Sequence, residues 1–209
     1  MNPAQAEPAR HPASNAPVLN VPNALTFLRL LCVPVMVLLL FSDGGGAGLA
    51  RDSAALVFVI ASITDLIDGA VARKFGQVTN VGKIADPLAD KALIGSALIG
   101  LSILGDLPWW VTIVILVREV GVSLLRLWVI EHGVISASRG GKLKTVVQTV
   151  AITMVLVVVP GLPWWGAVSS LVMGAAVALT IVTGIDYLVR ALRLRSVAAG
   201  IITDDGAVR

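Results

Sequence analysis

The stretch DLIDGAVARKFGQVTNVGKIADPLAD, residues 65–90, sets four aspartates and three cations between runs of leucine, isoleucine, valine and alanine. Charged groups are costly to place beside apolar segments unless a partner neutralises them. The stretch therefore indicates that these aspartates bind a partner that offsets the free-energy cost of their charge.

The composition around this stretch is typical of a membrane protein. Of the 209 residues, 56% are hydrophobic and only 14% are charged, and the mean hydropathy is +0.89. A soluble domain of this length would carry far more charge on its surface. The single cysteine, Cys32, excludes a disulfide within the chain.

Three sections divide the chain. Residues 1–20 contain four prolines and no apolar run, so they predict a disordered tail that lacks the hydrophobic region of a signal peptide. We expect residues 21–195 to form a transmembrane catalytic domain and residues 196–209 to form a second, short tail.

The apolar runs are long enough for six transmembrane helices, since each crossing needs roughly 20 residues. The sequence therefore predicts an all-α, polytopic membrane protein. Asp86 is the expected N-cap of the third helix, with Pro87 in its first position. The predicted helices cover about residues 23–41, 53–75, 87–104, 108–132, 143–159 and 167–194.

Cations are concentrated on one side of this topology. The opposite loops contain a single cation, Arg51. They also contain the tryptophan pairs 109–110 and 164–165, as expected of an interfacial aromatic belt. The positive-inside rule places both termini and the aspartate segment in the cytoplasm, with the chain in the cell membrane. The twelve cations on that side are Arg10, Arg73, Lys74, Lys83, Lys91, Arg139, Lys142, Lys144, Arg190, Arg193, Arg195 and Arg209.

The aspartates form two helical pairs. Asp65 and Asp68 are three residues apart and Asp86 and Asp90 are four apart, so each pair shares a helix face. Because the linker between them is short, the four carboxylates should converge and repel one another. One or two divalent cations would relieve this repulsion, and oxygen ligands favour Mg²⁺ or Mn²⁺. The open alternative is that a pair serves only as a helix cap and a salt bridge.

The residues around the aspartates suit phosphate chemistry. Gly69 and Ala72 leave room for a ligand beside the backbone, and Arg73 and Lys83 could bind phosphate oxygens. Metal ions with flanking cations are typical of phosphoryl transfer. The segment is therefore a candidate active site.

A second cluster of charge is expected on the fourth and fifth helices. Arg118, Glu119 and Arg126 lie within the fourth, where an arginine needs a polar cavity or a partner. Lys142 and Lys144 open the fifth helix, so the set could bind an acceptor that carries its own phosphate. The alternative is a structural bridge between Arg118 and Glu119, with ordinary cytoplasmic lysines.

The aspartate segment resembles the signature of a known family. Its spacing, D-x2-D-G-x2-A-R-x8-G-x3-D-x3-D, matches the CDP-alcohol phosphatidyltransferases without departure, and six helices with cytoplasmic termini are similar as well. The resemblance implies a dimeric enzyme with two metal ions at the cytoplasmic membrane face. It implies metal ligation by Asp65, Asp68, Asp86 and Asp90, with Asp90 mainly the general base. The CDP-binding residues that it implies are Asp68, Gly69, Ala72, Arg73 and Gly82, with Asn23, Thr26 and Arg29 near the nucleotide.

Four further stretches are similar to one branch of that family, in which the donor is CDP-diacylglycerol and the acceptor is sn-glycerol 3-phosphate. They are VPNALTFLRLLCVP (21–34), VREVGVSLLR (117–126), GGKLKTVVQT (140–149) and GIDYL (184–188). This likeness implies that the acceptor phosphate is held by Arg118, Arg126, Lys142 and Lys144.

Two other functions compete with this interpretation. A branch that uses inositol 1-phosphate also has a phosphate on its acceptor, so charge alone does not separate the two. A divalent-cation transporter would place carboxylates near the bilayer midplane in repeated halves, whereas here they cluster at one interface without a repeat. The expected partners are the two substrates, the lipid bilayer and a second copy of the chain, and no nucleic acid.

Overall fold

The computed structural model describes residues 21–75, 80–129, 139–198 and 200. These residues form six α-helices with no strand among them, which confirms the all-α prediction. A 3₁₀ turn at Ser42–Gly45 follows the first helix. The helices are α1 (Val21–Phe41), α2 (Leu49–Phe75), α3 (Asn80–Ile103), α4 (Trp109–Val129), α5 (Arg139–Leu156) and α6 (Pro163–Ala198).

Large apolar side chains cover the outside of the bundle. Leu38 is 72% exposed and Leu171 is 75% exposed, which suits a lipid surrounding. Within the described residues, two helices at 23–45 and 163–196 are long and apolar enough to cross a membrane, and 143–156 form a shorter apolar helix. The chain is a membrane protein, and six crossings remain a prediction.

The core of the bundle is apolar. α1 packs along α2 and α3, α6 packs along α4 and α5, and α5 also contacts α2 and α3. Glycine allows close approach between α1 and α3, because a Cβ on Gly100 would lie 2.6 Å from Leu40 Cδ2. The fully buried side chains include Met36, Leu40, Phe58, Leu93, Leu98, Leu101, Ile115, Ile152 and Leu156.

The third helix starts earlier than the sequence predicts. α3 begins at Asn80, so Asp86 lies inside it and the N-cap prediction is wrong. Pro87 lies inside the helix. Its fixed φ is compatible with a helix, although it removes one backbone N–H donor and its ring crowds the preceding turn. Asp86 and Asp90 therefore keep their spacing of four on one continuous helix, and the Asp86 carboxylate is available for other contacts.

The other helices differ from prediction mainly at their ends. α2 starts at Leu49 rather than Ser53, α5 runs from Arg139 to Leu156, and α6 extends to Ala198. Each of these helices extends beyond its apolar run into residues that include arginines, such as Arg51 in α2, Arg139 in α5 and Arg195 in α6. The predicted tail at 1–20 lies outside the described residues. Of the predicted tail at 196–209, residues 196–198 continue α6, and residues 199 and 201–209 lie outside the described residues.

Arg51, expected in a loop, is buried in the first turn of α2. Its guanidinium ties the end of α5 to the turns that follow α1 and α3. We call this the Arg51 end of the bundle, and the opposite end, which holds the aspartate segment, the aspartate end. The guanidinium donates to the carbonyls of Gly45 at 2.6 Å, Leu156 at 2.9 Å and Val155 at 3.0 Å, and to Asp106 Oδ2 at 2.7 Å.

The predicted tryptophan pairs lie at the Arg51 end. Trp109, Trp110 and Trp164 are each about half exposed in the first turns of α4 and α6. Trp165 instead turns inward, and its Nε1 donates to the Val157 carbonyl at 2.7 Å. The exposed indoles are where an interfacial belt is expected.

Candidate active site

Two residues of α1 hold two of the predicted metal ligands. Arg29 is fully buried, and its Nη1 lies 2.6 Å from Asp65 Oδ1 while its Nε donates to the Ala61 carbonyl at 3.3 Å. Thr26 Oγ1 donates to Asp86 Oδ1 at 2.5 Å. α1 therefore orients one carboxylate from α2 and one from α3.

The carboxylates of α2 and α3 lie close enough to act on one another. Asp65 is within repulsive range of Asp86 and of Asp90. Arg29 attracts both Asp65 and Asp90, which reduces that repulsion. Asp65 thus lies near Asp86 and near Asp90, and the side chain of Asp68 lies outside the described residues.

The chemistry of this donor set fits a hard divalent cation. Carboxylate oxygens are preferred ligands of Mg²⁺ and Mn²⁺, and the Asp65 side chain is 33% exposed, so an ion can reach it. Among the side chains that the structure describes, no three acidic, histidine or cysteine groups form a metal-sized cluster by themselves. Ligation that includes Asp68 therefore stays a prediction.

A cluster of charge from α4 and α5 lies next to Asp90. Lys144 is buried and donates to Glu119 Oε1, and Arg118 Nη1 lies 3.4 Å from the same oxygen. Lys144 is also near enough to Asp90 to attract its carboxylate. The Arg118–Glu119 bridge of the alternative interpretation is therefore present, but as part of a larger cluster that reaches Asp90.

α6 completes this cluster with residues to which the sequence assigned no role. Arg118 Nη2 donates to Thr183 Oγ1 at 3.1 Å, and the Arg118 guanidinium carbon lies 5.9 Å from the centroid of the Tyr187 ring. Arg118 Cγ also lies against Gly184. The available signal was a polar pair, Thr183 and Tyr187, four residues apart on one face of an apolar helix.

A groove between α2 and α5 leads away from the aspartates. Its volume is about 300 Å³, and Asp65 and Asp90 line the part nearest the aspartate end. An apolar groove that reaches carboxylates suits a ligand with a charged head and a hydrocarbon tail. The rest of the groove is lined by Val59, Ser62, Ile63, Thr145, Val146, Thr149, Val150, Thr153 and Met154.

A second groove, between α3 and α4, also reaches Asp90. Its volume is about 350 Å³, and its polar lining includes Asp90, Lys91 and Glu119. Asp90 therefore lines both grooves, one of which runs along α5 and the other along α4. A group in this position can contact two different ligands at once.

The remaining predicted site residues fall into two sets. Asn23 and Gly82 are buried at the aspartate end, as are Thr26 and Arg29; nucleotide contact by these four stays a prediction. The predicted residues whose side chains lie outside the described part of the chain are Asp68, Gly69, Ala72, Arg73, Arg126 and Lys142.

Comparisons with known proteins cover most of the chain. Residues 19–182 match the family model described as CDP-alcohol phosphatidyltransferase. A protein of Mycobacterium tuberculosis (strain ATCC 25618 / H37Rv), named "Probable phosphatidylglycerophosphate synthase", is 55% identical over 181 residues, which cover 87% of this chain and 86% of the relative.

Two more distant relatives carry the name "CDP-diacylglycerol–glycerol-3-phosphate 3-phosphatidyltransferase". The one from Rickettsia prowazekii (strain Madrid E) is 39% identical over 171 residues, which cover 80% of this chain and 93% of the relative. The one from Bacillus subtilis (strain 168) is 37% identical over 183 residues, which cover 81% of this chain and 94% of the relative.

Proposed function

The chain belongs to the CDP-alcohol phosphatidyltransferase family, and we propose that it is an enzyme that transfers the phosphatidyl group of CDP-diacylglycerol to sn-glycerol 3-phosphate. The products are phosphatidylglycerophosphate and CMP. Relatives at 55% and 37% identity bear names for this activity, and the matches extend over most of both chains.

The aspartate end suits the donor. The groove of about 300 Å³ accepts an acyl chain while Asp65 and Asp90 face the pyrophosphate. We propose two ions, Mg²⁺ or Mn²⁺, and when bound they would offset the charge on the pyrophosphate and stabilise CMP as the leaving group. Their proposed ligands are Asp65, Asp68, Asp86 and Asp90. The nucleotide is proposed to contact Asn23, Thr26, Arg29, Asp68, Gly69, Ala72, Arg73 and Gly82.

The charge cluster on α4 and α5 suits the acceptor. Arg118 and Lys144 both contact the single carboxylate of Glu119, so the cluster places two nitrogen donors where a phosphate could accept from them. Arg126 and Lys142 are proposed to add to it. Because Lys144 also attracts Asp90, a small phosphorylated alcohol bound there has its hydroxyl near that carboxylate.

In this proposal Asp90 is the general base. Its carboxylate takes the proton of the acceptor hydroxyl as that oxygen forms a bond to the β-phosphorus of the donor. The bond between the β-phosphorus and the bridging oxygen breaks, and CMP leaves with the electron pair. Neither water nor ATP is consumed, and the proton on Asp90 passes to solvent after the product leaves.

We propose that the enzyme works as a homodimer in the cell membrane, with both termini and the active site cytoplasmic. The orientation is supported by charge. Lys91, Lys144 and the arginines of the α6 C-terminal turns lie at the aspartate end, and among the described residues Arg51 is the one cation at the opposite end. Cytoplasmic ends of membrane helices carry such an excess of lysine and arginine.

The acceptor assignment depends on the proximity of Lys144 to Asp90. Assays with different acceptors test this assignment. Purified protein in detergent micelles receives CDP-diacylglycerol, Mg²⁺ or Mn²⁺, and one of glycerol 3-phosphate, inositol 1-phosphate or glycerol, and CMP release is measured. We expect the fastest release with glycerol 3-phosphate and little with glycerol, which lacks the phosphate.

The outcomes separate the parts of the proposal. Faster release with inositol 1-phosphate would overturn the acceptor assignment in favour of the inositol-phosphate branch and leave the transfer chemistry standing. Equal rates with glycerol and glycerol 3-phosphate would remove the phosphate pocket. No CMP release with any acceptor would overturn the transferase proposal.

A further inference from the structure

The guanidinium of Arg118 is held by α6, a helix that contributes none of the four predicted metal ligands and no predicted substrate contact. Its Nη2 donates to Thr183 Oγ1 at 3.1 Å, and its carbon lies 5.9 Å from the Tyr187 ring centroid. Between these two residues lies Gly184, where a Cβ would be 3.1 Å from Arg118 Cγ. Three positions of one α6 turn therefore surround the Arg118 side chain.

We propose that Thr183, Gly184 and Tyr187 form a seat that positions Arg118 for the acceptor phosphate, so that α6 helps to determine acceptor affinity. This inference rests on the proposed function. It concerns positioning residues and not catalytic ones, because none of the three is required to touch the substrate. It also gives a reason for the polar side chains of Thr183 and Tyr187, which lie four residues apart on one face of α6.

Gly184 allows the close approach of Arg118 on α4 to α6. A Cβ at 3.1 Å from Arg118 Cγ is closer than ordinary van der Waals contact, so the arginine would have to shift. Cγ lies near the root of the side chain, and any shift there is carried to the guanidinium. Gly174 on the same helix differs, because a Cβ there would meet no atom within 4 Å.

Glu119 extends the seat to α5. It neighbours Arg118 in the chain, and its Oε1 accepts from Lys144 while lying 3.4 Å from Arg118 Nη1. The two cations are therefore held on a shared oxygen, and α6 fixes the far side of one of them. A fixed guanidinium loses less conformational entropy on binding phosphate than a free one.

The main test compares Gly184→Ala with Gly174→Ala. We expect Gly184→Ala to raise the KM for glycerol 3-phosphate about tenfold, the smaller effect expected from weakening a charge-assisted hydrogen bond, with the KM for CDP-diacylglycerol unchanged. Gly174→Ala should change neither KM. A purely structural role would lower the unfolding temperature of Gly184→Ala and leave its acceptor KM as in the wild type, and that result would overturn the proposal.

A second pair of variants keeps the test open should Gly184→Ala fail to fold. Thr183→Val removes the oxygen that Arg118 contacts, whereas Thr183→Ser keeps it. Thr183→Val should raise the acceptor KM and Thr183→Ser should restore it. Equal acceptor KM values for these two variants would contradict the seat.

A double-mutant cycle then asks whether the effect acts through Arg118. Gly184→Ala added to Arg118→Ala should cause no further rise in the acceptor KM, because the group being positioned is gone. Additive effects would overturn the proposal. Failure of the proposed function is recognised separately, since the wild-type protein would then release no CMP with glycerol 3-phosphate.

Discussion

The two ends of the bundle each bury an arginine, and the partners of the two arginines differ. Arg51 donates to three main-chain carbonyls and to Asp106. Arg29 is at least as buried, and it lies 2.6 Å from Asp65, whose side chain is 33% exposed, about as much as that of Asp106. Arg51 joins helix ends mainly through main-chain carbonyls, whereas Arg29 orients a carboxylate that lines the groove between α2 and α5. Burial alone therefore does not distinguish a structural arginine from one in an active site. The groups that each guanidinium contacts do distinguish them.

The residues around the two arginines also differ between the two ends. At the Arg51 end, Gly45 has φ +74°, and a Cβ there would lie 2.4 Å from Leu104 Cδ2. Glycine suits this position because its left-handed φ and the close approach of Leu104 both disfavour a side chain. A cavity of about 290 Å³ at this end is lined by Arg51 and Asp106. At the aspartate end, two grooves reach Asp90, and Asp65 lines one of them as well. The two ends therefore differ in the carboxylates that line their cavities.

The largest difference between the two ends should come from replacing a carboxylate by an amide at each. Asp90→Asn should lower kcat for CMP release by about 100- to 10,000-fold, the usual contribution of a general base, with little change in Tm. Asp106→Asn should leave kcat unchanged and lower Tm, because it weakens only the contact with Arg51. Steady-state CMP release and thermal unfolding in detergent measure both. An active Asp90→Asn variant would contradict its role as the base.

Replacing the two arginines should show the same division, with stability lost at the Arg51 end and activity lost at the aspartate end. Arg51→Met should lower the free energy of unfolding by about 1–3 kcal/mol, because the buried carbonyls of Gly45 and Leu156 lose their donor. Arg29→Lys keeps the charge but not the geometry, and should lower kcat about tenfold with a smaller loss of stability. Denaturant unfolding and CMP release per folded molecule measure these effects. The comparison fails if folded Arg51→Met is as inactive as Arg29→Lys.

The smallest expected effect concerns the groove between α2 and α5. Val150→Trp should obstruct it and raise the KM for CDP-diacylglycerol about fivefold, with the acceptor KM unchanged. Leu171→Trp is the matched control, because Leu171 is 75% exposed near the Arg51 end and does not line this groove. Kinetics in mixed micelles of defined lipid content measure both. Equal KM values for the two variants would show that the donor does not use the groove.

The sequence predicts most of the fold because long apolar runs define helices directly. It misplaces the start of α3, since residues 80–86 contain a glycine and a lysine and form no apolar run. It also puts Arg51 in a loop, because a glycine-rich stretch precedes it, although α2 already begins at Leu49. Polar helix ends are the part of the fold that hydrophobic periodicity does not detect.

The site is predictable within each helix and much less so between helices. The spacing of Asp86 and Asp90 shows that they share a face. The contacts of Thr26 with Asp86 and of Arg118 with Thr183 join residues 60 and 65 positions apart. Periodicity states which side chains share a face of one helix, but not which faces of two helices meet. Partners such as Thr183 therefore require the packed structure.

The central claim is that the aspartate end uses divalent ions to activate a CDP-linked lipid, and metal removal tests it most directly. Protein treated with EDTA and then titrated with Mn²⁺ is assayed for CDP-diacylglycerol binding by calorimetry and for CMP release. We expect both to be lost without metal and restored by Mn²⁺, with Asp86→Asn needing more Mn²⁺ than the wild type. Undiminished CMP release from folded protein in EDTA would contradict the account.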